Sequence, residues 1–202
     1  MTHPAIEPSS NLRKYESGNR VLQALIRRFH ARMLDLVAPL GAKRVLDVGC
    51  GEGFFARALL DRFPGVELVG VDASEAAIAH ASARCPEARF EVSRIEALRA
   101  RGRFDLVVCS EVLEHLEDPA AGIANLADCT AGHALLTVPW EPWFQLANLA
   151  RGKYLATLGN HPEHVQRWTR AGFERAVSGR FARVHSESMF PWTLFLGTPR
   201  EP

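Results

Sequence analysis

The sequence predicts a doubly wound α/β fold, a mostly parallel sheet with helices on both faces. Two observations carry this. From residue 43 onward, short apolar runs alternate with amphipathic stretches at the spacing of strand-helix-strand units. The first run, KRVLDVGC, also passes through the turn GEG straight into a helical pattern, FFARALLDRF, as strands of such sheets do.

Ahead of that run, residues 1–18 are polar and Pro-containing and read as a flexible leader. In NRVLQALIRRFHARMLDLVAPL, the residues Val21, Leu22, Leu25, Ile26, Phe29, Met33 and Leu36 recur at helical spacing. Arg20, Arg27, Arg28 and Arg32 then fall largely on the wet face, where a solvated charged surface is a better reading than an anionic partner. After the first strand-turn-helix unit come the strand VELVGVD, the helix SEAAIAHASARC and the strand ARFEVSR. FDLVVCS is the fourth strand, followed by a helix over EVLEHL, a helix around PAAGIANLADC and the strand HALLTVP. The alternation breaks at WEPWFQLANLARGKYLATLGNHPEHVQRW, read as an acceptor-side insertion at about 139–168 with a helix near 143–150. Thr169 can cap the helix TRAGFERAVSG, and FARVHSES with FPWTLFLGTP completes seven strands as an adjacent pair. Residues 19–202 therefore read as a single domain.

Composition narrows the function. A chain of 202 residues can bury a full core without disulfides or a structural metal. With 24 Lys and Arg against 23 Asp and Glu, no global field draws nucleic acid or an anionic membrane. Cys50, Cys85, Cys109 and Cys129 form no C-x-x-C pair, so neither zinc nor a disulfide framework is suggested and reduced thiols are expected. Without a signal-peptide core or an apolar run of membrane length, the expected location is the cytoplasm, and a homo-oligomer is compatible with all of this.

The strongest chemical signal is VLDVGCGEGFFARAL. Gly49, Gly51 and Gly53 stand where a strand becomes a helix, and their missing side chains let the backbone approach a ligand. Asp72 ends the second strand, nineteen residues after Gly53, where a carboxylate can accept from both hydroxyls of a ribose. The spacing lacks both the later glycine of dinucleotide enzymes and the Gly-Lys-Ser/Thr of triphosphatases, so phosphate binding is disfavoured. Together these residues describe a nucleoside-binding α/β domain.

VLDVGCGEGFFARAL, GVDAS, FDLVVCSEVLEHLEDP and LLTVPWEP resemble the class I S-adenosylmethionine-dependent methyltransferases, in particular the type-11-like small-molecule group. The resemblance covers roughly residues 40–140, with a weaker match at HVQRWT. It implies a Rossmann-like sheet whose last strand is antiparallel, with S-adenosyl-L-methionine as cofactor and S-adenosyl-L-homocysteine as product. It further implies that Asp47, Gly49, Cys50, Gly51 and Gly53 surround the methionine part and Asp72 holds the ribose. Ala73 would lie by the adenine, and the backbone at Ser110 would face the amino group. One departure stands out. Where many relatives carry a Gly-Asp-Ala run after the third strand, this chain has Ser93, Arg94 and Ile95. A guanidinium accepts no hydrogen bond, so Ser93, a backbone carbonyl or Glu96 would take the adenine amino group, with Ile95 giving a backbone donor and an apolar wall.

In SEVLEHLED, helical spacing would bring Glu111, Glu114 and His115 onto one face. Three readings are open. Acids in a first turn offset the helix macrodipole and are often simply wet, above all Glu114. Alternatively a base acts here, because a hydroxyl acceptor must lose its proton, and Glu111, His115 or His161 would take it. Third, RNA-terminal 2′-O-methyltransferases carry a similar Glu-x-x-Glu-His turn and a later His before Trp-Thr, so Glu111, Glu114, His115 and His164 would form a divalent-metal site. Trp140, Trp143, Phe144, Tyr154 and His161 would line the acceptor side, while Arg151 and Lys153 would be solvated. The preferred reading is methyl transfer to a small molecule at oxygen, with no metal expected and no nucleic acid favoured. The rivals are a metal-dependent RNA-terminal 2′-O-methyltransferase and a non-catalytic cofactor-binding partner subunit.

Overall fold

The computed structural model describes residues 18–140, 166 and 168–200. Seven strands form one sheet: β1 (Arg44–Val48), β2 (Glu67–Asp72), β3 (Arg89–Val92), β4 (Phe104–Ser110), β5 (Thr130–Pro139), β6 (Phe181–Met189) and β7 (Trp192–Pro199). Their order is β3-β2-β1-β4-β5-β7-β6. The first five are parallel to one another, and β7 runs antiparallel to both β5 and β6, which makes the last strand the reversed one, as expected. The chain builds outward from β1 through β2 to β3, then returns to lay β4 on the other side of β1. The crevice at that reversal is where ligands of doubly wound sheets bind.

Strand residues alternate between two apolar layers because successive side chains point to opposite faces. Leu46, Val48, Val107, Leu136 and Phe195 pack with Ile123 and Leu126 of α4 (Pro119–Cys129) and Phe173 and Val177 of α5 (Arg170–Ser178). Val45, Leu68, Leu106, Val108 and Leu135 pack with Phe29 and Met33 of α1 (Arg20–Val37) and Phe55 and Leu59 of α2 (Phe54–Arg62). Burial on both faces explains why these strands read as continuous apolar runs.

Polar caps set the helix starts. Asn19 Oδ1 accepts from the N–H groups of Val21 and Leu22, Asp118 Oδ1 from Ala121, and Thr169 Oγ1 from Gly172, the cap expected there. Ser74 does the same for Ala77 at the start of α3 (Glu75–Arg84). Each such cap contributes about 1 kcal/mol. In α1 the buried stripe is Ile26, Phe29, Met33, Leu34 and Val37, whereas Val21 is exposed. Arg32 departs from the wet face: its guanidinium donates twice to Glu187 of β6, at 2.6 and 3.0 Å, and Phe29 stacks on Trp192 with centroids 4.2 Å apart.

The helix expected over EVLEHL is a single 3-10 turn, Leu113–His115. Glu111 breaks the helical path with φ of +59°, and α4 starts immediately afterwards at Pro119 under its Asp118 cap. Leu113 and Leu116 then tuck against Gly122, where a Cβ would meet Leu116 Cδ1 at 2.5 Å. Among the described residues no helix is long and apolar enough to cross a membrane.

Candidate active site

At the carboxyl end of β1 the chain must turn sharply beneath neighbouring strands, and glycine makes that possible. Gly49, Gly51 and Gly53 all have positive φ, a region costly to other residues. A Cβ on Gly49 would meet Val112 Cγ2 at 2.2 Å. The loop is tied down by N–H donors from Gly49 and Cys50 to the carbonyl of Val71, at 2.7 and 3.0 Å. Arg84 adds a clamp, donating from Nε to the carbonyl of Glu52 at 2.9 Å while its guanidinium lies 3.7 Å from the Phe54 ring centroid.

Asp72 stands at the end of β2 with Oδ2 accepting from Gly51 N–H and Oδ1 from Ser74 N–H, both at 2.9 Å. Each carboxylate oxygen can accept more than once, so the group that orders the loop retains capacity for ligand hydroxyls. Asp47 is 3% exposed, and its Oδ2 is buried without a hydrogen-bond partner. Burial first, then the charge of Asp72, push its carboxyl up to about 7. A buried carboxylate in that state favours a ligand bringing positive charge or N–H donors. The Cys50 thiol is pushed up by burial and by Asp47 and Asp72, which makes it a packing group rather than a nucleophile. All four cysteines are free and buried.

Across the crevice, Ser110 Oγ and Thr137 Oγ1 lie 2.8 Å apart, and Glu111 N–H donates to the carbonyl of Thr137 at 3.1 Å. The ends of β4 and β5 are thereby locked together. The 3-10 turn leaves the residues expected to converge in different surroundings. Glu111 precedes it, Glu114 is 1% exposed, and His115 points to solvent. Glu114 is therefore not a wet surface acid. After burial itself, its charge and then that of Asp47 raise the Cys109 thiol. Gln166 closes over this turn, its N–H on the Glu114 carbonyl at 2.9 Å and its Nε2 on that of Leu116 at 3.3 Å.

Other expected residues distribute as follows. Ala73 is exposed beside Asp72, and Ser93 is half-buried with Oγ donating to the carbonyl of Arg94 at 3.2 Å. Arg94 is a surface residue paired with Glu96 at 3.5 Å. Ile95 is 7% exposed, its side chain in the core rather than along an open wall. Trp140 is half-buried, its N–H on the carbonyl of Pro191 at 2.8 Å, which joins β5 to the β6-β7 turn. Trp143, Phe144, Arg151, Lys153, Tyr154, His161 and His164 lie outside the described residues, as do the helix near 143–150 and residues 1–17. Among the described residues no group of three His, Cys, Asp or Glu side chains is placed to hold a metal. Sequence reasoning passed over Thr137, Val112 and the buried Glu52. A hydroxyl inside LLTVP carries no local signal, because its partner lies 27 residues away across a strand pair.

A family model described as a methyltransferase domain matches residues 19–180. The chain is 42% identical over 185 residues to a ubiquinone biosynthesis O-methyltransferase of Ralstonia nicotianae, covering 77% of each. To the protein of the same name from Alkalilimnicola ehrlichii it is 34% identical over 160 residues, 68% of this chain and 64% of that one. Across four such relatives the match spans from 43% to 77% of their length. Among solved structures, magnesium protoporphyrin IX methyltransferase from Synechocystis with bound S-adenosylhomocysteine superposes with a TM-score of 0.74 at 20% identity, over 93% of this chain and 92% of that one, which shows a shared fold.

Proposed function

Since the chain belongs to the methyltransferase-domain family, among the class I S-adenosylmethionine-dependent enzymes, we propose that it transfers a methyl group from S-adenosylmethionine to a hydroxyl oxygen of a small molecule. The observation that carries the choice of oxygen is the 42% identity over 77% of both chains with a protein named an O-methyltransferase. The site fits the cofactor on its own terms: three loop glycines at positive φ at the carboxyl end of β1, and a buried Asp47 oxygen without a partner.

S-adenosylmethionine supplies an electrophilic methyl on a positively charged sulfur. The chain's residues bind and orient. In this reading Asp72 holds the ribose hydroxyls while keeping Gly51 and Ser74 in place. Gly49, Cys50, Gly51 and Gly53 give the methionine part a close backbone surface, with Asp47 offsetting its positive charge. Ala73, Ser93 and the backbone of Ile95 flank the adenine, and the backbone at Ser110 meets the amino group. Methyl transfer gains most from alignment, and a hydroxyl acceptor must also surrender its proton. In this reading Glu111, at the carboxyl end of β4, receives it, with His115 and His161 as the other candidates. We place the activity in the cytoplasm.

Calorimetric titration with S-adenosylhomocysteine tests the pocket. Binding that survives Asp72→Ala undiminished contradicts the ribose assignment. Incubation with methyl-labelled cofactor and a metabolite extract, read by mass spectrometry, tests the acceptor. Label on oxygen supports the reading, and label on nitrogen or carbon overturns the choice of oxygen. Binding with no labelled product supports the non-catalytic rival.

A further inference from the structure

We propose that Thr137 is a positioning residue: it holds the Ser110–Glu111 corner in a strained conformation that fixes the Glu111 carboxylate at the acceptor side of the site. This rests on the methyltransferase reading above. Glu111 is the one non-glycine among the described residues with positive φ, +59°, a conformation that persists in an ordinary residue only when its surroundings impose it. Here the imposing group is identifiable. Thr137 is fully buried, its β-branched side chain is stiff, and it grips the corner twice. Its hydroxyl pairs with Ser110 Oγ at 2.8 Å, and its carbonyl takes the Glu111 N–H at 3.1 Å.

A purely architectural explanation competes. The bend sends Val112 over Gly49, into the space a Cβ there would occupy, so the strain would serve only to close the glycine loop. Glycine at position 111 would satisfy that requirement at lower conformational cost, and the chain carries glutamate instead. The strain is therefore maintained together with a carboxylate, and strain kept for a side chain is characteristic of functional corners.

The test uses the full chain with Thr137→Val, Thr137→Ser, Glu111→Gly and the Glu111→Gly/Thr137→Val pair. With S-adenosylmethionine and catechol as the acceptor probe, Thr137→Val is expected to lower kcat about 10-fold while KM for the cofactor stays within about twofold, and Thr137→Ser to restore turnover. Full turnover in Thr137→Val, or no rescue by serine, overturns the proposal. A second arm needs no acceptor. Glu111→Gly should raise Tm by about 2–4 °C in the otherwise native chain and by clearly less in the Thr137→Val chain, because losing the hydroxyl contact to Ser110 relaxes part of the strain while the Thr137 carbonyl still holds the Glu111 N–H. Additive shifts overturn the proposal. If the native chain binds S-adenosylhomocysteine but leaves catechol unmodified, catechol fails as the acceptor, and the melting arm alone decides the role of Thr137.

Discussion

The two ends of the sheet handle their charges in opposite ways. At the amino end, a concavity of about 560 Å³ is lined by Arg44, Glu67, Glu87, Arg89 and Glu91. Its charges are matched: Arg44 pairs with Glu67 at 3.3 Å, Arg57 with Glu87 at 2.5 Å, and Arg89 with Glu91. Asp105 takes the N–H groups of Lys43 and Arg44, both at 2.9 Å, and these bonds hold its carboxyl below the usual range. At the carboxyl end, Asp47 is buried with an oxygen unmatched, three loop glycines have positive φ, and Glu111 is strained. A concavity whose charges are matched, as at the amino end, leaves a ligand little to compensate. The uncompensated charge and the imposed backbone conformations select the carboxyl end, because a fold keeps such costs where a ligand offsets them.

The sharpest way to break this contrast is Asp72→Ala. It removes both the ribose acceptor and the bonds that shape the loop, and we expect S-adenosylhomocysteine affinity to fall about 100-fold by calorimetry. Gly49→Ala should follow: with Val112 at 2.2 Å and φ of +73°, it is expected to destabilise the fold by about 2–4 kcal/mol in urea unfolding.

Asp47→Asn sharpens the comparison through pH. Burial raises the Asp47 carboxyl in the fold, so its stabilising contribution is fully present below the ordinary value of 3.8 and is lost as pH rises through about 7. At pH 8 the ionised group costs on the order of 4 kcal/mol. Asp47→Asn should therefore raise Tm at pH 8 and change it little at pH 4. Cofactor affinity should climb between pH 6 and 8 in the native chain, as the carboxylate ionises beside a cationic ligand, and stay flat in the variant. The smallest effect belongs to the amino end. Arg89→Ala, at an exposed ion pair, should shift stability by less than about 0.5 kcal/mol and leave cofactor affinity unchanged.

Much of the fold was legible because its signals are local. Apolar runs buried on both faces, the cap at Thr169 and the glycine turn all lie within a few residues of what they determine. Asp47 and the glycines stand in one short run, whereas Asp72, 21 residues from the Gly51 N–H it accepts, was marked by its place at the end of the next strand. The turn at Glu111 was not: SEVLEHL has helical spacing, but the bond from Glu111 N–H to Thr137 and the restart at Pro119 override it. Glu114 and His115 therefore part company, one buried and one wet. Arg32 looked like a solvent-facing arginine because its carboxylate partner is 155 residues away.

Transfer of labelled methyl from S-adenosylmethionine to a hydroxyl acceptor, measured side by side in the native chain, Asp72→Ala and Arg89→Ala, tests the central claim most directly. The native chain and Arg89→Ala should give the same O-methylated product at the same rate, and Asp72→Ala almost none. Undiminished transfer by Asp72→Ala, or its loss in Arg89→Ala, would contradict the placement of function at the carboxyl end of the sheet.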